Sequence, residues 1–240
     1  MYFLFHLATG FLIGLILTDL LHDGRWLIPS GIGAVLPDLI DKPVGYLLLE
    51  GYVEYGRILF HTFLAFSLVL AAGIVLWKFR QTPGALALAA GIFSHQVFDS
   101  MWNETANWFF PFLGAPALTQ NIPPGYVFLL LRDDFLNPSE WLMAGLLVIG
   151  YLLWRQRDRV VAEAQEQGRG LGSILEFGGI ILWMISGMVF SYGLTGKLHL
   201  SFGQFWLANY SLLSLFCALA AFLFWRWGTA LRRDRPAMQP

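Results

Sequence analysis

The sequence predicts an all-α, polytopic membrane protein, a transmembrane bundle of about seven helices. Of its 240 residues, 57% are hydrophobic and 13% are charged, whereas an ordinary soluble domain carries roughly 25% charged residues. Three long runs contain no Asp, Glu, Lys or Arg: Ile58–Trp77, Phe177–Gly196 and Leu198–Trp225. Because about 20 helical residues cross the roughly 30 Å hydrocarbon core of a bilayer, these runs indicate membrane-spanning helices.

Seven spans follow from the apolar runs and from the Trp and Tyr residues at their ends, where interfacial rings belong. The second span is short, and Pro37 is expected to break or end it because proline lacks the backbone N–H. The fifth span is weak, since its 14 residues make only about 21 Å of helix. In chain order the spans are Phe3–Leu21, Trp26–Ile40, Ile58–Trp77, Ala85–Trp102, Trp141–Trp154, Ile174–Tyr192 and Phe205–Trp227.

The distribution of Lys and Arg over the loops predicts the orientation of the bundle in the plasma membrane. With seven helices, one side carries four basic residues: Lys42, Arg57, Arg132 and Lys197. The other side carries eleven: Arg25, Lys78, Arg80, Arg155, Arg157, Arg159, Arg169, Arg226, Arg232, Arg233 and Arg235. The amino terminus is therefore predicted to lie outside and the carboxyl terminus in the cytoplasm.

A long proline-rich segment between the fourth and fifth spans divides the chain. Residues 103–140 hold five of the eleven prolines, and their charge-free middle, Thr105–Leu131, is too broken by proline to span a membrane. We expect this segment to form an interfacial or re-entrant cap at the outer surface, an idle connector being the alternative. The predicted halves are residues 1–140, with four helices and the cap, and residues 141–240, with three helices.

Composition excludes several classes of function. Fifteen basic against sixteen acidic residues give a net charge of −1, so the chain offers no basic field for nucleic acid. The single cysteine, Cys217, forms neither an internal disulfide nor a dithiol redox pair. The only lysines, Lys42, Lys78 and Lys197, lie near predicted helix ends, which excludes a retinal protein.

Six ionisable residues fall on the outer side of four different predicted helices. Ionisable groups at membrane depth are costly, so they are rare and usually functional. Taken singly, each has a simpler interpretation, as an interfacial hydrogen bonder, a cap or a partner of its neighbour, but their shared side favours one site. His6 and His61 are expected in the first turns of the first and third helices, Asp38 and Asp41 at the end of the second, and His95 and Asp99 at the end of the fourth.

The spacing of these residues suits a divalent metal ion. His95 and Asp99 lie one helical turn apart on one face. Asp38 and Asp41 face one centre if the helix persists past Pro37. Mixed imidazole and carboxylate ligands suit zinc, manganese or iron, so the sequence predicts one or two such ions, Asp41 being a possible bridge between two.

The same residues resemble the motifs of a known family. His6-x-x-x-Gly10, Leu36-Pro37-Asp38-Leu39-Ile40-Asp41, Arg57-x-x-x-His61-Thr62 and Ser94-His95-x-x-x-Asp99 are similar to those of the membrane-bound metal-dependent hydrolases, the YdjM-like family. That family is in turn similar to zinc-dependent phospholipase C and single-strand nucleases in its ordered His and Asp ligands. The resemblance covers roughly residues 1–115. In two departures, Asp41 stands one residue later than in the family's Pro-Asp-x-Asp, and Gly56 replaces a frequent His before the Arg.

The resemblance implies hydrolase chemistry, and the depth of the site indicates a membrane lipid as substrate. We therefore expect hydrolysis of phosphoester bonds in a phospholipid or lipid-linked phosphate by metal-activated water, as in a phospholipase C or a lipid phosphatase. Arg57 is expected to hold a phosphate oxygen through its planar fork. Glu104, just past the fourth span, is the candidate general acid or base.

Two other functions compete with this hypothesis. A non-enzymatic metal-binding or ion-transport protein would carry ligands in a file across the membrane, whereas helices five to seven contribute almost no ionisable group at mid-span. Haem ligation by His61 and His95 in an electron-transfer protein would not need the accompanying Asp residues.

Overall fold

The computed structural model describes residues 3–48, 56–114, 125–136, 140–141, 144–145, 147–148, 171–195 and 210–233. Within these ranges every regular element is helical, as the sequence predicts. The chain divides into two compact units, Met1–Met143 and Ala144–Pro240. Most of the fifth predicted span, Trp141–Trp154, lies outside the described residues.

Four apolar helices form the body of the first unit. They are α1, Phe3–Leu21; α2, Leu27–Pro43; α3, Phe63–Arg80; and α4, Gly84–Phe98. The bounds of α1 are those of the first predicted span. By length and composition α1 and α3 are able to cross a membrane, and α4 is a shorter apolar helix.

The proline-rich segment contains two helices in its described part. They are α5, Thr105–Trp108, and α6, Tyr126–Leu136. The helix α6 begins within the stretch 105–131, which the sequence predicts to be too broken by proline to span a membrane. Its eleven residues make only about 16 Å of helix, which is too short to span a bilayer.

The helix α2 does not end at Pro37, contrary to the prediction. It continues to Pro43, and Asp38 and Asp41 are therefore helical. Proline is tolerated within membrane helices when neighbouring elements support the backbone. Here the carbonyl of Gly33 has no helical donor, because the residue four positions later, Pro37, has no N–H. Gly33 packs closely against the backbone of α4 at Leu88.

The helix α3 begins later than the apolar run that predicted it. Thr62 is its N-cap, and the Thr62 hydroxyl accepts a hydrogen bond from the backbone N–H of Ala65 at 3.1 Å. A threonine cap satisfies an amide that the first turn leaves unpaired. His61 consequently lies in the turn that precedes α3 and not, as predicted, in its first helical turn.

Glycines allow α1, α2 and α4 to pack with their backbones in close contact. A Cβ atom on Gly10 would lie 2.5 Å from Cβ of Ala34, and one on Gly14 would lie 2.9 Å from the backbone of Leu27. A Cβ atom on Gly91 would lie 2.1 Å from the carbonyl oxygen of Ser30. Small residues at such positions are typical of membrane helix interfaces.

The second unit contains a helix pair in its described part. The two helices are α7, Leu171–Thr195, and α8, Tyr210–Arg233. Ser186 and Ser214 join them, since each hydroxyl donates to the backbone carbonyl of the other residue at 2.8 and 2.9 Å. This pairing satisfies two buried hydroxyls.

Candidate metal centre

The ends of four chain segments bring five ionisable side chains together in the first unit. His6 lies in the first turn of α1, Asp38 near the end of α2, His61 in the turn before α3, His95 in the last turn of α4 and Asp99 at its C-cap. His61 and His95 are fully buried, and His6 and Asp38 are 2% and 3% exposed. The structure therefore places five of the six predicted ligands within one buried cluster.

The close helix packing explains why three of these side chains meet. Each stands four residues from a small residue at the α1, α2 and α4 contacts: His6 from Gly10, Asp38 from Ala34, and His95 from Gly91. Residues four apart share one helix face. The glycine contacts therefore set the distance between the backbones, and the ligand candidates converge one turn farther along.

Two imidazole rings face each other at the centre of the cluster. The Nε2 atoms of His61 and His95 are 3.0 Å apart. The Nδ1 atom of His95 lies 2.7 Å from the carbonyl oxygen of Ala34, which accepts only, so Nδ1 donates. The Nδ1 atom of His61 likewise lies 2.8 Å from Oδ2 of Asp41. With a proton on each Nδ1, the neutral rings direct two Nε2 lone pairs at each other, an arrangement that a cation stabilises.

One carboxylate oxygen of Asp38 faces the same point without a hydrogen-bond partner. This atom, Oδ1, is buried and lies 3.5 Å from Nε2 of His61 and 3.8 Å from Nε2 of His95. The other oxygen, Oδ2, pairs with Nζ of Lys42 at 2.5 Å. A buried carboxylate oxygen left without a partner is costly, and its position beside two imidazole nitrogens fits a metal ligand.

His6 and Asp99 complete the cluster. The Nε2 atom of His6 lies 3.0 Å from Oδ1 of Asp99. The second oxygen of Asp99, Oδ2, lies 3.7 Å from Nε2 of His61 and 3.8 Å from Nε2 of His95. The His6 ring also stacks on His95, with a centroid distance of 4.0 Å.

The donor set fits one divalent ion. The potential ligand atoms form two groups, and within each group they all lie within 4.8 Å of one another. One group is His6, Asp38 and His95, and the other is His61, His95 and Asp99. Both groups contain His95, which has only Nε2 left for a metal, so the groups describe overlapping parts of one site. Tetrahedral zinc holds two nitrogens at about 2.0–2.1 Å each, which places them about 3.3 Å apart, close to the His61–His95 separation.

Asp41 lies behind His61 and uses both oxygens there. Its carboxylate accepts hydrogen bonds from the backbone N–H groups of Leu59, Phe60 and His61 at 2.9 to 3.1 Å. It also accepts the Nδ1 proton of His61. Carboxylates that orient a metal-binding imidazole in this way are common in metalloproteins. The structure thus places Asp41 as a support for His61 and not in either group of potential ligands.

Arg57 and Glu104 lie together at the edge of the cluster. The guanidinium of Arg57 contacts Oδ2 of Asp99 at 2.9 Å and forms a short ion pair with Oε1 of Glu104. The second oxygen of Glu104 accepts a hydrogen bond from Nδ2 of Asn107 at 2.9 Å. Arg57 and Glu104 are each about 30% exposed, at 30% and 31%, whereas the imidazoles behind them are buried. Both predicted catalytic residues are therefore beside the cluster and reachable from outside it.

The charges of the connected groups also favour a divalent cation. Four carboxylates and two basic side chains are connected by ion pairs or through the ring of His61, namely Asp38, Asp41, Asp99, Glu104, Lys42 and Arg57. With neutral imidazoles and the other groups charged, these residues sum to −2. Buried charge without compensation is strongly unfavourable, and one divalent ion balances it.

The prediction from sequence missed a buried amide that supports the turn of His61. The side chain of Gln96 donates to the carbonyl oxygens of Phe60 and Thr62 at 3.1 and 2.9 Å, and it accepts from Nε1 of Trp108 at 2.9 Å. These bonds join α4, α5 and the turn before α3. The sequence signal that could have found it is a polar glutamine next to His95 within an apolar helix.

The prediction also missed Glu140, which is 4% exposed. Its Oε2 atom accepts a hydrogen bond from the backbone N–H of Leu4 in the first turn of α1 at 2.7 Å. Burial raises the pKa of Glu140, an effect that the backbone amides of Leu4 and Phe5 oppose. No sequence signal links residues 136 positions apart.

A family model described as YdjM inner membrane protein matches residues 1–164, which include the whole cluster. That description states a membrane location and no reaction. No curated protein and no solved structure matches the chain.

Proposed function

This chain belongs to the YdjM inner membrane protein family, and we propose that it is a multi-pass, metal-dependent hydrolase. Its proposed substrate is a phosphoester bond in a phospholipid or lipid-linked phosphate. The metal is divalent, zinc in preference to manganese or iron, because imidazole and carboxylate ligands together suit zinc.

One observation carries the proposal: the meeting of His61 and His95. Their Nε2 atoms are 3.0 Å apart, while each Nδ1 is committed to an acceptor on its far side. An imidazole whose Nδ1–H is held by a carboxylate or carbonyl is the usual form of a histidine that ligates metal through Nε2. Asp38, with its buried and unpartnered Oδ1, supplies negative charge at the same point.

We assign five side chains as ligands of one ion: His6, Asp38, His61, His95 and Asp99. When bound, a divalent ion supplies Lewis-acid polarisation of a phosphoryl oxygen and lowers the pKa of water toward neutrality. Around it, Lys42 holds one oxygen of Asp38, so that the other stays directed at the imidazoles. Asp41 fixes the tautomer and the orientation of His61.

Arg57 is the proposed contact for the substrate phosphate. Its planar guanidinium matches two oxygens of a phosphoryl group, and it lies between the buried cluster and the exposed edge. Glu104 and Asp99 hold it on two sides. A phosphate that binds Arg57 competes with Glu104 for the guanidinium. The carboxylate of Glu104, released from that ion pair, is the proposed general acid or base of the hydrolysis.

The membrane location supports a lipid substrate. The ligands stand at the ends of apolar helices, of which α1 and α3 are long enough to cross a bilayer. A site at this depth favours a substrate that already lies in the membrane over one that must leave water. The loop charges of the predicted seven-helix arrangement favour the extracytoplasmic side for the site.

The experiment that tests this function combines metal analysis with a lipid assay. Wild type, His95→Ala and Asp38→Ala would be purified in detergent, analysed for bound zinc, manganese and iron, and assayed against phospholipids and lipid-linked phosphates. His22→Ala is the matched control, because His22 is an exposed histidine in the turn between α1 and α2. We expect about one ion per chain and hydrolysis in wild type and control, and loss of both in the two site variants.

The outcomes separate the site from the reaction. Metal retained in His95→Ala and in Asp38→Ala would reject the site. Metal lost in both, but no hydrolysis of any phosphorylated lipid by the wild type, would reject the substrate class and favour a non-enzymatic metal-binding or ion-transport protein. A Soret band in the visible spectrum would favour haem ligation by His61 and His95 instead.

A further inference from the structure

Glu140 ties the segment after α6 to the first turn of α1. Its Oε2 atom accepts the backbone N–H of Leu4, one of the amides that a helix leaves unpaired at its start. Negative charge at this end of a helix is also favourable. The carboxylate thus holds the backbone two residues before His6, the only ligand candidate that α1 contributes.

The remaining polar atoms of Glu140 and His6 are complementary. Oε1 of Glu140 and Nδ1 of His6 are both buried, and neither has a hydrogen-bond partner. His6 directs its Nε2 to Asp99, so a proton on Nδ1 needs an acceptor away from the cluster.

The other two histidines show what His6 lacks. His61 has Asp41 and His95 has the carbonyl oxygen of Ala34 as acceptors for Nδ1. We propose that Glu140 is the positioning residue of His6: it fixes the first turn of α1 through Oε2, and its Oε1, which makes no hydrogen bond in this structure, accepts the Nδ1 proton when a metal ion holds Nε2. This inference rests on the proposed metal site and assigns the third imidazole the same type of support as the other two.

The test measures metal binding in Glu140→Gln. Glutamine keeps the size of the side chain but has one acceptor oxygen, which serves either Leu4 or His6 and not both. Removing the partner of a metal-ligating histidine typically lowers affinity 10- to 100-fold. Zinc titrations of the full-length variant should show a weakening of that size, and Co²⁺ loaded in place of zinc should show a changed visible spectrum. Asp133→Asn, at an exposed carboxylate paired with Arg132 on α6, is the control and should match wild type.

The possible results divide cleanly. A zinc affinity within threefold of wild type together with an unchanged Co²⁺ spectrum would overturn the assignment, even if metal-free Glu140→Gln unfolds at a lower temperature, because Glu140 would then only anchor α1. If Glu140→Gln does not fold, Glu140→Asp, which keeps both oxygens, should restore folding with altered metal affinity, and unaltered affinity would again overturn the assignment. A wild-type protein that binds no metal would overturn the proposed function and this inference together.

Discussion

The carboxylate of Asp41 holds both the backbone and the imidazole of His61. One oxygen, Oδ2, lies 3.1 Å from the His61 backbone nitrogen and 2.8 Å from its Nδ1 atom. The amides of Leu59 and Phe60 donate to the same carboxylate. Four donors thus converge on one fully buried side chain, which fixes the turn before α3 and the direction of the ring within it.

Replacement of Asp41 by asparagine should weaken both the fold and the metal site. An amide nitrogen in place of one oxygen leaves at least one of the four donors opposite another donor, at a cost of about 1–3 kcal/mol. Because His61 then loses its orientation, zinc affinity should fall 10- to 100-fold. Thermal unfolding of the metal-free protein and zinc titration measure the two effects.

The same variant distinguishes a supporting role from a ligand role for Asp41. If Asp41 instead bridged metal ions, Asp41→Asn would lose metal and leave the stability of the metal-free protein unchanged. Asp133→Asn serves as the control, because the Asp133 side chain is 63% exposed and pairs with its neighbour Arg132. It should change neither measurement.

The close contact of α2 with α4 predicts that Gly91→Ala damages a site to which Gly91 contributes no ligand. The added Cβ would lie 2.1 Å from the carbonyl oxygen of Ser30, so the helices must move apart. Overpacking of this kind costs about 1–3 kcal/mol, and His95 stands one turn farther along α4. We expect a lower unfolding temperature and at least tenfold weaker zinc binding.

A glycine without such a contact provides the control for that variant. Gly187 lies within α7, and a Cβ atom there would meet nothing within 4 Å. Gly187→Ala should leave zinc binding unchanged and should stabilise the helix by up to about 1 kcal/mol. Equal zinc affinities for Gly91→Ala and Gly187→Ala would contradict the view that glycine packing sets the ligand distances.

The sequence predicted the composition of the cluster because its physical signal is strong. Charged and imidazole side chains are rare in apolar helices, so His6, Asp38, His95 and Asp99 stand out from their surroundings. Helical spacing then places each of them near the same end of the unit. The bounds of α1 were predictable for a related reason, since its apolar run begins and ends clearly.

The sequence did not predict which of these residues are potential ligands and which support a ligand through hydrogen bonds. A carboxylate three residues after Asp38 suits a ligand and a hydrogen-bond acceptor equally, and only the turn at Leu59–His61 decides which role Asp41 takes. That turn was hidden because residues 58–62 continue the apolar run of α3. The contact of Glu140 with Leu4 depends on how a proline-rich segment returns to α1, which no local pattern encodes.

The position of Arg57 predicts a variant that separates catalysis from metal binding. Arg57→Lys keeps the positive charge beside Asp99 but loses the planar fork that matches two phosphoryl oxygens. A charge-assisted hydrogen bond is worth about 1.5–3 kcal/mol, so kcat/KM for a phosphorylated lipid should fall about 10- to 100-fold. Zinc affinity should stay within fivefold of wild type, because none of the five assigned ligands is changed.

A matched arginine tests whether that loss belongs to the site. Arg132 pairs with Asp133 at the surface of α6, with 62% of its side chain exposed, and Arg132→Lys should leave kcat/KM unchanged. If Arg57→Lys hydrolyses lipid as fast as the wild type, Arg57 does not hold the phosphate. If it loses zinc instead, its role is to hold Asp99 in place.

The loop charges predict on which side of the membrane the cluster lies. The cluster stands where α4 ends, and the turn between α3 and α4 lies at the other end of these helices, about 22–27 Å away for 15 to 18 residues. With Cys217 replaced by serine, single cysteines would report each end. Asn103→Cys marks the cluster end, and Thr82→Cys marks the turn; both positions are exposed.

A membrane-impermeant maleimide added to intact cells or right-side-out vesicles should label Asn103→Cys only, and Thr82→Cys should react after permeabilisation. Labelling of Thr82→Cys in sealed membranes, with Asn103→Cys protected, would place the cluster in the cytoplasm and reverse the predicted orientation.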